Sequence, residues 1–391
     1  MKKIIVNNGS TSKKYALYDA AVEIYFAHYE MTPEGYVITE FSNDEEREEE
    51  INESTFKKSF LDFLDRLLKN SFISSEDDIG TVSFRIVAPG KLFQENKIID
   101  KKYLVELEDK FELSPLHIKP IKEEIFNASQ SLPNIEMVAI SDSFFHKTMS
   151  MKSKMYALPI KMTEKLELYR FGYHGLSVES IVDLLKVSKP KLNKIIVCHL
   201  GGGSSITAVK NGKSVDTTMG FSPLEGIPMS TRAGNVDPNA LVAMMDSEDF
   251  DTKELQDFLY HKCGMKGISG VSGDTRVIID EIRKGNENAK LALDVYTYQI
   301  IKWISSVYCV LDGIDAIVFT GTIGVRSTDV RQKVCEGLST IGVSLDLSKN
   351  KLQIKGAGDI HSANSKIQVI VQPTNEMRKM AETTDRLLKK S

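Results

Sequence analysis

The stretch that decides the fold is KIIVCHLGGGSSITAVKNGKSVDT, residues 194–217. An apolar run from Ile195 to Leu200 breaks at three glycines and two serines, resumes through Ile206 and Val209, and turns again at Asn211-Gly212, a pair suited to a type I′ hairpin turn. The opening of the chain, KKIIVNNGSTSKKYALYD at 2–19, has the same layout, with Asn7 to Ser12 as its turn. Laid over each other, IIVNNGSTSKKYALYD and IIVCHLGGGSSITAVK share strand, small-residue turn and strand, so the chain contains one unit twice. No helix follows the first turn as a nucleotide P-loop requires, yet its glycine and hydroxyls suit an anion held by backbone N–H groups. Two such turns point to phosphoryl transfer, although a Gly/Ser turn taken singly is usually only a turn.

Outward from these hairpins, DAIVFTGTIGVRS (315–327) reads as a third strand with a glycine-interrupted turn, and KIQVIVQPTNE (366–376) as a fourth. Phe56, Phe60, Phe63, Leu64, Leu67 and Leu68 fall on one face of a helix, and residues 292–311 form another helical segment. Hairpins alternating with helices, twice over in 391 residues, predict a mixed α/β protein of two related domains. The acidic run at 44–50 reads as a solvated loop or helix start. A hydrophobic content of 41 %, a charged content of 27 % and one Trp describe an ordinary globular chain, and a net charge of -4 argues against nucleic-acid binding by bulk basicity. Apolar runs such as 314–320 fall far short of the roughly 20 residues of a membrane span. The short apolar run after Met1-Lys2-Lys3 argues against a secretory signal, which predicts a cytoplasmic protein. Cys198, Cys263, Cys309 and Cys335 have no metal or redox spacing and are expected to be buried, reduced thiols.

Several segments set polar residues at the ends of apolar runs. In TVSFRIVAPG, Arg85 shares a face with Ser83 and Val87 and points away from Val82, Phe84 and Ile86. LSPLHIKP is expected to hold His117 in a proline-bounded loop, MVAISDSFFHKTM ends a strand at Asp142, and YRFGYHGLS sets His174 between glycines. MSTRAGNVDP carries Arg232, SGVSGDTRV carries Asp274 and Arg276, and VQPTNE ends at Glu376. Read singly, each of these has an ordinary structural explanation, and His28, His146, His261 and His361 are left with that reading.

In this order the segments resemble the acetate kinase (acetokinase) family of the acetate and sugar kinase/actin superfamily, over nearly the whole chain. The family's Asn-x-Gly-Ser-Ser/Thr-Ser-x-Lys is matched by Asn7, Gly9, Ser10, Thr11, Ser12 and Lys14, and FHKTM, FGYHG, NGKSVDTTMGFSPLEG, TRAGNVDP, DAIVFT and PTNE are equally specific. The resemblance implies duplicated ribonuclease H-like (actin-like ATPase) domains with a central interdomain cleft. Residues 1–141 with a returning helix at 378–391 would form the first domain, and 142–377 a second one that binds nucleotide and dimerises. The activity implied is reversible, in-line phosphoryl transfer from ATP to a short-chain carboxylate with Mg²⁺, or Mn²⁺ in its place, in a homodimer without nucleic-acid or membrane partners. On the residues that match, Arg85 and Arg232 hold the carboxylate and the phosphoryl in flight, His174 donates to its equatorial oxygens and His117 supports it. Asn7, Asp142 and Glu376 match the metal- and phosphate-positioning residues, Asn7 and Glu376 on the metal and Asp142 also orienting the arginines. Ser12, Lys14, His199, Gly201, Gly202, Gly203, Asp274, Thr275, Arg276, Thr322, Ile323 and Arg326 match the nucleotide site, and Val87, Leu116, Tyr173 and Pro223, with Arg85, the acyl site.

The chain departs from the pattern at four places. Ala88-Pro89-Gly90 replaces His-Gly-Gly beside Arg85, which removes an imidazole and a backbone N–H and predicts lower turnover or a different hold on the carboxylate. Gly202 replaces an Asn, so an amide is lost from the phosphate turn. Thr320-Gly321-Thr322-Ile323-Gly324-Val325-Arg326 replaces Thr-Ala-Gly-Ile-Gly-Glu-Asn, which narrows the nucleoside's approach and opens the alternative of pyrophosphate as donor. Tyr173 replaces Phe, and its hydroxyl needs a partner if buried, which leaves acetate against propionate or another small acid open. A nucleotide- or acyl-phosphate-binding protein without catalysis is the remaining alternative.

Overall fold

The computed structural model describes the chain apart from residues 10, 11, 33, 43, 44, 114, 390 and 391 and the side chains of residues 115–117. Its contacts divide it into two compact units, Met1–Phe144 with Asn375–Ser391, and Phe145–Thr374. Asp142 and Glu376 therefore belong to the same unit as Asn7 and Arg85.

The first unit is built on an eight-stranded sheet. Strands β1 (Lys2–Asn8), β2 (Ser12–Asp19), β3 (Val22–Thr32), β4 (Gly35–Ser42) and β5 (Glu45–Ile51) form an antiparallel meander. On the other side of β1, β6 (Ile79–Ile86) and β8 (Glu136–Ser141) run parallel to it, and the short β7 (Lys97–Ile98) closes that edge, antiparallel to β8. The acidic run is thus an edge strand and not a loop or helix start. Its side chains are exposed on both faces, and charge along a free edge discourages pairing with another chain.

Alternation along the inner strands gives the sheet two covered faces. Ile4, Val6, Tyr15, Leu17, Val82 and Phe84 meet a helix at Ser59–Lys69 whose Phe60, Phe63, Leu64 and Leu67 recur at helical spacing, together with Ile118, Ile121 and Ile125 of a helix at Pro115–Ser131. Burial of each such side chain contributes about 1.5–3 kcal/mol. The opposite face takes the C-terminal helix Glu376–Leu388, fixed to β1 by an ion pair between Lys3 and Asp385 and to β6 by the Ser83 and Thr384 hydroxyls at 2.7 Å.

The second unit repeats the plan. β9 (Lys194–Leu200), β10 (Ser204–Lys210) and β11 (Lys213–Thr217) form the antiparallel part. β12 (Ala316–Thr320) and β14 (Gln368–Val371) run parallel to β9, with the short β13 (Gly358–Asp359) antiparallel on the far edge. Ile196, Cys198 and Leu200 face the long helix Glu287–Leu311, which Asn286 caps by accepting from the Ala289 N–H at 3.0 Å. Ile195 and Val197 face the helix Gly175–Ser188. Two sheets sharing the core order β3-β2-β1-β6-β8 and β11-β10-β9-β12-β14 are a duplicated actin-like ATPase fold. No described helix is long and apolar enough to cross a membrane. Cys198 and Cys335 are buried, whereas Cys263 is half-buried and Cys309 exposed, against expectation.

Candidate active site

In the first unit the site grows from two strand ends. β1 and β6 are parallel with Val6 beside Phe84, so the next residues, Asn7 and Arg85, emerge together. Asp142 follows β8 directly and is fully buried. The Arg85 guanidinium donates to both Asp142 oxygens, from Nε at 3.0 Å and NH2 at 2.9 Å, the forked geometry that suits a carboxylate. Its NH1 donates to Asn7 Oδ1 at 3.2 Å, and Asn7 Nδ2 donates to Glu376 Oε2 at 2.9 Å. Burial works against the Arg85 charge, but Asp142 and then Glu376 more than offset it and hold the guanidinium above its ordinary pKa. Four residues far apart in sequence thus make one connected set: an always-charged fork, two carboxylates and an amide.

The first turn meets this set along the hairpin. Lys14 lies directly opposite Asn7 and therefore shares its face, as does Ser12 two residues earlier. Ser12 Oγ lies 2.7 Å from His28 Nε2, and burial, then Lys14, push that imidazole down to about 4, so it is neutral at pH 7. Val87 is buried just past β6. Ala88, where the family pattern has a His, is buried in the apolar core of the unit. His117 and Leu116 sit in the first turn of a helix, not in a proline-bounded loop, because Pro115 begins that helix. Their side chains, with Ser10 and Thr11, lie outside the described residues.

In the second unit the glycine turn organises the site. Gly201 N–H donates to Gly203 O at 3.0 Å, which closes the turn between β9 and β10. A Cβ at Gly203 would stand 3.1 Å from His174 Nε2 and 3.4 Å from Arg232 NH1, so this position brings both side chains against the backbone and a side chain here would push on them. His174 and His199 stack with centroids 4.1 Å apart, each fixed at Nδ1 by a serine: His174 by Ser205 at 3.0 Å, His199 by Ser177 at 2.7 Å. His174 has φ of 60°, a left-handed conformation that costs a non-glycine residue about 1–3 kcal/mol and is common at functional sites. Arg232 NH1 donates to the Pro223 carbonyl at 3.2 Å, and its guanidinium lies 5.5 Å from the centre of the Tyr260 ring. Tyr173 is buried and its hydroxyl donates to Phe221 O at 2.7 Å, which supplies the partner its sequence position called for.

The remaining expected residues divide. Ser230 N–H donates to Gly202 O at 3.4 Å, and Gly273 packs against Ser230, so the loop before Asp274 adjoins the glycine turn. Asp274 accepts from Arg276 N at 2.8 Å as a helix cap, and also holds the Arg276 guanidinium, which keeps its carboxyl below the usual range; Thr275 is buried between them. The Thr322 N–H lies 3.8 Å from where a Gly201 Cβ would be, with Thr322 itself exposed. Ile323 packs into the core and Arg326 is exposed. Thr320-Gly321 does not remain a turn: Gly321–Arg326 is a short helix.

Two supports of the site escaped the sequence reading. His146, read only as structural, is buried with Nε2 3.0 Å from the Tyr173 carbonyl and Nδ1 2.9 Å from Ser214 Oγ. Nε2 is the donor to this carbonyl, since a carbonyl oxygen can only accept. Gly172 must be glycine here, since its φ is +77° and a Cβ would lie 2.7 Å from the His146 ring. Glu225 accepts from the Tyr156 hydroxyl and pairs with Arg170 at 2.5 Å, while Tyr156 accepts from Phe221 N at 2.8 Å. Nothing local in sequence separates these residues from surface Glu, Tyr or Arg.

Comparison with known proteins fits this geometry. A sequence profile of the Acetokinase family matches residues 2–382. The acetate kinase of Methanosarcina acetivorans is 37 % identical over 393 residues, which are 98 % of this chain and 96 % of that one. Among solved structures, the Porphyromonas gingivalis acetate kinase superposes with a TM-score of 0.86 at 31 % identity, covering 99 % of both chains. A propionate kinase from Francisella tularensis superposes with a TM-score of 0.89 at 29 % identity, again over 99 % of both. With its duplicated sheet, its Arg85–Asp142 fork and its histidine-lined glycine turn, the chain belongs to the acetokinase family.

Proposed function

We propose that this protein is an acetate kinase, which transfers the γ-phosphoryl group of ATP reversibly to acetate or another short-chain carboxylate. The observation that carries this reading is the buried set of Arg85, Asp142, Asn7 and Glu376 in a chain of this family. A carboxylate oxygen attacks phosphorus, the bond to the ADP oxygen breaks, and the charge of the transferring group spreads over its equatorial oxygens without net proton transfer. No protein nucleophile is needed. Positioning and electrostatic stabilisation carry the catalysis.

In this reading Arg85, pre-set by Asp142, and Arg232 hold the carboxylate and the phosphoryl oxygens, and His174 donates to those oxygens, supported by His117. Val87, Leu116, Tyr173 and Pro223 take the acyl group. Ser12, Lys14, His199, Gly201–Gly203, Asp274–Arg276 and 321–326 serve the nucleotide. Glu376 and Asn7 offer hard oxygens and no soft ligand, which suits Mg²⁺, an ion that takes one or two carboxylates and completes its shell with water and phosphate. When bound, the ion would neutralise phosphate charge.

Propionate is the second acceptor to consider, since the Francisella tularensis propionate kinase is similar over its full length and the Tyr173 hydroxyl is occupied by Phe221. One methylene changes discrimination by only about 1–3 kcal/mol. A homodimer fits the helix Pro238–Glu248, which carries Leu241, Val242, Met244 and Met245 yet buries none of its residues. A cytoplasmic location completes the proposal. The test is acyl phosphate trapped as hydroxamate, with Mg²⁺, acetate to butyrate, and ATP or pyrophosphate. Product with ATP and acetate is expected; product with pyrophosphate alone, or none with either donor, overturns the reading.

A further inference from the structure

Beside the short helix Gly321–Arg326 lies an arginine that no part of the proposed reaction uses. Arg331 is fully buried, and no carboxylate lies within ion-pair reach of it among the described residues. Its five N–H groups are all spent on neutral oxygens. Nε donates to Asn350 Oδ1 at 2.8 Å, NH1 donates to Gly324 O at 2.9 Å and Val325 O at 2.6 Å, and NH2 donates to Asn350 O at 3.0 Å and Gln353 O at 2.7 Å. Asn350 completes the link by donating from Nδ2 to Thr328 O at 3.0 Å. These carbonyls belong to the last turns of two short helices, Gly321–Arg326 and Leu347–Leu352, where unpaired carbonyl oxygens gather negative partial charge. Burial, opposed by Cys335, pushes the guanidinium down to about 10, still far above neutral pH, so the charge persists.

A leucine or methionine would fill such a volume without desolvating a charge. The arginine instead ties the rear of the 321–326 segment to a separate helix, while the front of that segment begins at Gly321, whose φ of +75° turns the chain beside Leu200 and the glycine turn. We propose that Arg331 is the positioning residue of the nucleotide site: it fixes where Gly321 to Arg326 stand and so sets affinity for the nucleotide without touching it. This rests on the reading of 321–326 as the nucleotide segment.

The test uses the purified full chain with MgATP, acetate and hydroxylamine, and compares R331K, N350A and T322Y with the wild type. Lysine keeps the charge but cannot make the forked contacts. For R331K the KM for ATP is expected to rise about tenfold while the KM for acetate and the kcat at saturating ATP stay within about twofold. Hydrogen exchange should quicken in 321–326. N350A, which removes the Nε acceptor and the Thr328 link, should move ATP in the same direction by about threefold, and it keeps the question open to measurement if R331K does not fold. A merely structural arginine would lower the melting temperature and leave the ratio of the two KM values unchanged, which would overturn the proposal. T322Y separates the two readings. If it weakens ATP and the Arg331 variants do not, Arg331 is not the positioning residue; if T322Y leaves ATP unchanged, the assignment of 321–326 to the nucleotide fails and this inference fails with it.

Discussion

The parallel strands of the first sheet lead to Arg85 and Asp142, whereas the matching positions of the second sheet, counted along the registers from Phe84 and Phe319, are Thr320 and Thr374. Asn7 corresponds in the same way to His199. One sheet therefore places a fixed ion pair at its strand ends and the other places hydroxyls. The imidazole and guanidinium of the second unit, His174 and Arg232, come from loops and are packed against Gly203. Duplication supplied two equivalent strand ends, and the chemistry each carries is set by a handful of side chains. A fork pinned by a buried carboxylate suits a group whose geometry must not drift during transfer; an all-glycine turn suits a polyphosphate that needs backbone donors and close approach.

Alanine at Arg85 or Asp142 against alanine at Thr374 tests the asymmetry most severely. R85A is expected to lower kcat by about 10²–10³-fold, as loss of a transition-state donor does, and to remove the forked bond that the buried Asp142 accepts. R232A should fall in the same range. T374A removes only a hydroxyl contact with Ser180 at 3.0 Å, so its kcat should stay within about threefold. A loss confined to KM in R85A, or a T374A as impaired as D142A, would end the argument that only one sheet carries the ion pair for chemistry.

The bases of the two turns differ as well. Asn8 pairs with Lys13 across the first hairpin, and Lys13 forms a buried ion pair with Glu124 at 2.8 Å, while the matching pair in the second is Leu200 with Ser204. Burial raises the Glu124 carboxyl above its usual pKa even with Lys13 beside it. K13M should therefore cost about 3–5 kcal/mol by leaving a buried acid unpaired, and the double variant K13M/E124L should recover most of it. S204A, which loses the contacts with the Tyr296 hydroxyl at 2.9 Å and the Gly201 carbonyl at 3.2 Å but leaves no charge unpaired, should cost about 1–2 kcal/mol. Denaturation midpoints of the three variants decide it; equal losses would mean the ion pair is no more than an ordinary polar contact.

What could be read from sequence follows from how local each feature is. Hairpins with glycine turns declare themselves within 24 residues, and Phe60, Phe63, Leu64 and Leu67 declare a helix by spacing. Arg85, Asp142 and Glu376 stand out in sequence because each follows an apolar run inside a recognisable motif, and the structure joins them through Asn7 in one hydrogen-bonded set. The edge strand Glu45–Ile51 was missed because its stability lies in pairing with β4 and not in its own apolar alternation, and His117 was set in a loop because two prolines outweighed the helical spacing that follows them. His146, Glu225 and Arg331 act through backbone carbonyls or distant partners, a role that leaves no pattern in the residues around them.

Smaller effects refine the second turn. Gly203 and Gly202 are neighbours with opposite surroundings: a Cβ at Gly202 would meet nothing within 4 Å, while one at Gly203 would press on His174 and Arg232. G203A should lower kcat about tenfold by displacing those groups by a few tenths of an ångström, and G202A should stay within about twofold. Comparable losses would place the turn's importance in its backbone flexibility and not in its packing.

The smallest expected change is at Tyr173. Its hydroxyl is buried and already donates to Phe221 O. Replacement by Phe leaves the Phe221 carbonyl short of one donor and should cost about 1 kcal/mol in stability. On the proposed acyl site, the ratio of kcat/KM for propionate to that for acetate should move by less than about twofold, because the ring remains and only a hydroxyl engaged by Phe221 O is removed. A larger shift in that ratio would show the hydroxyl turning toward substrate during turnover, and would make this Tyr, through its exchange between Phe221 and the acyl group, a determinant of which acid is phosphorylated.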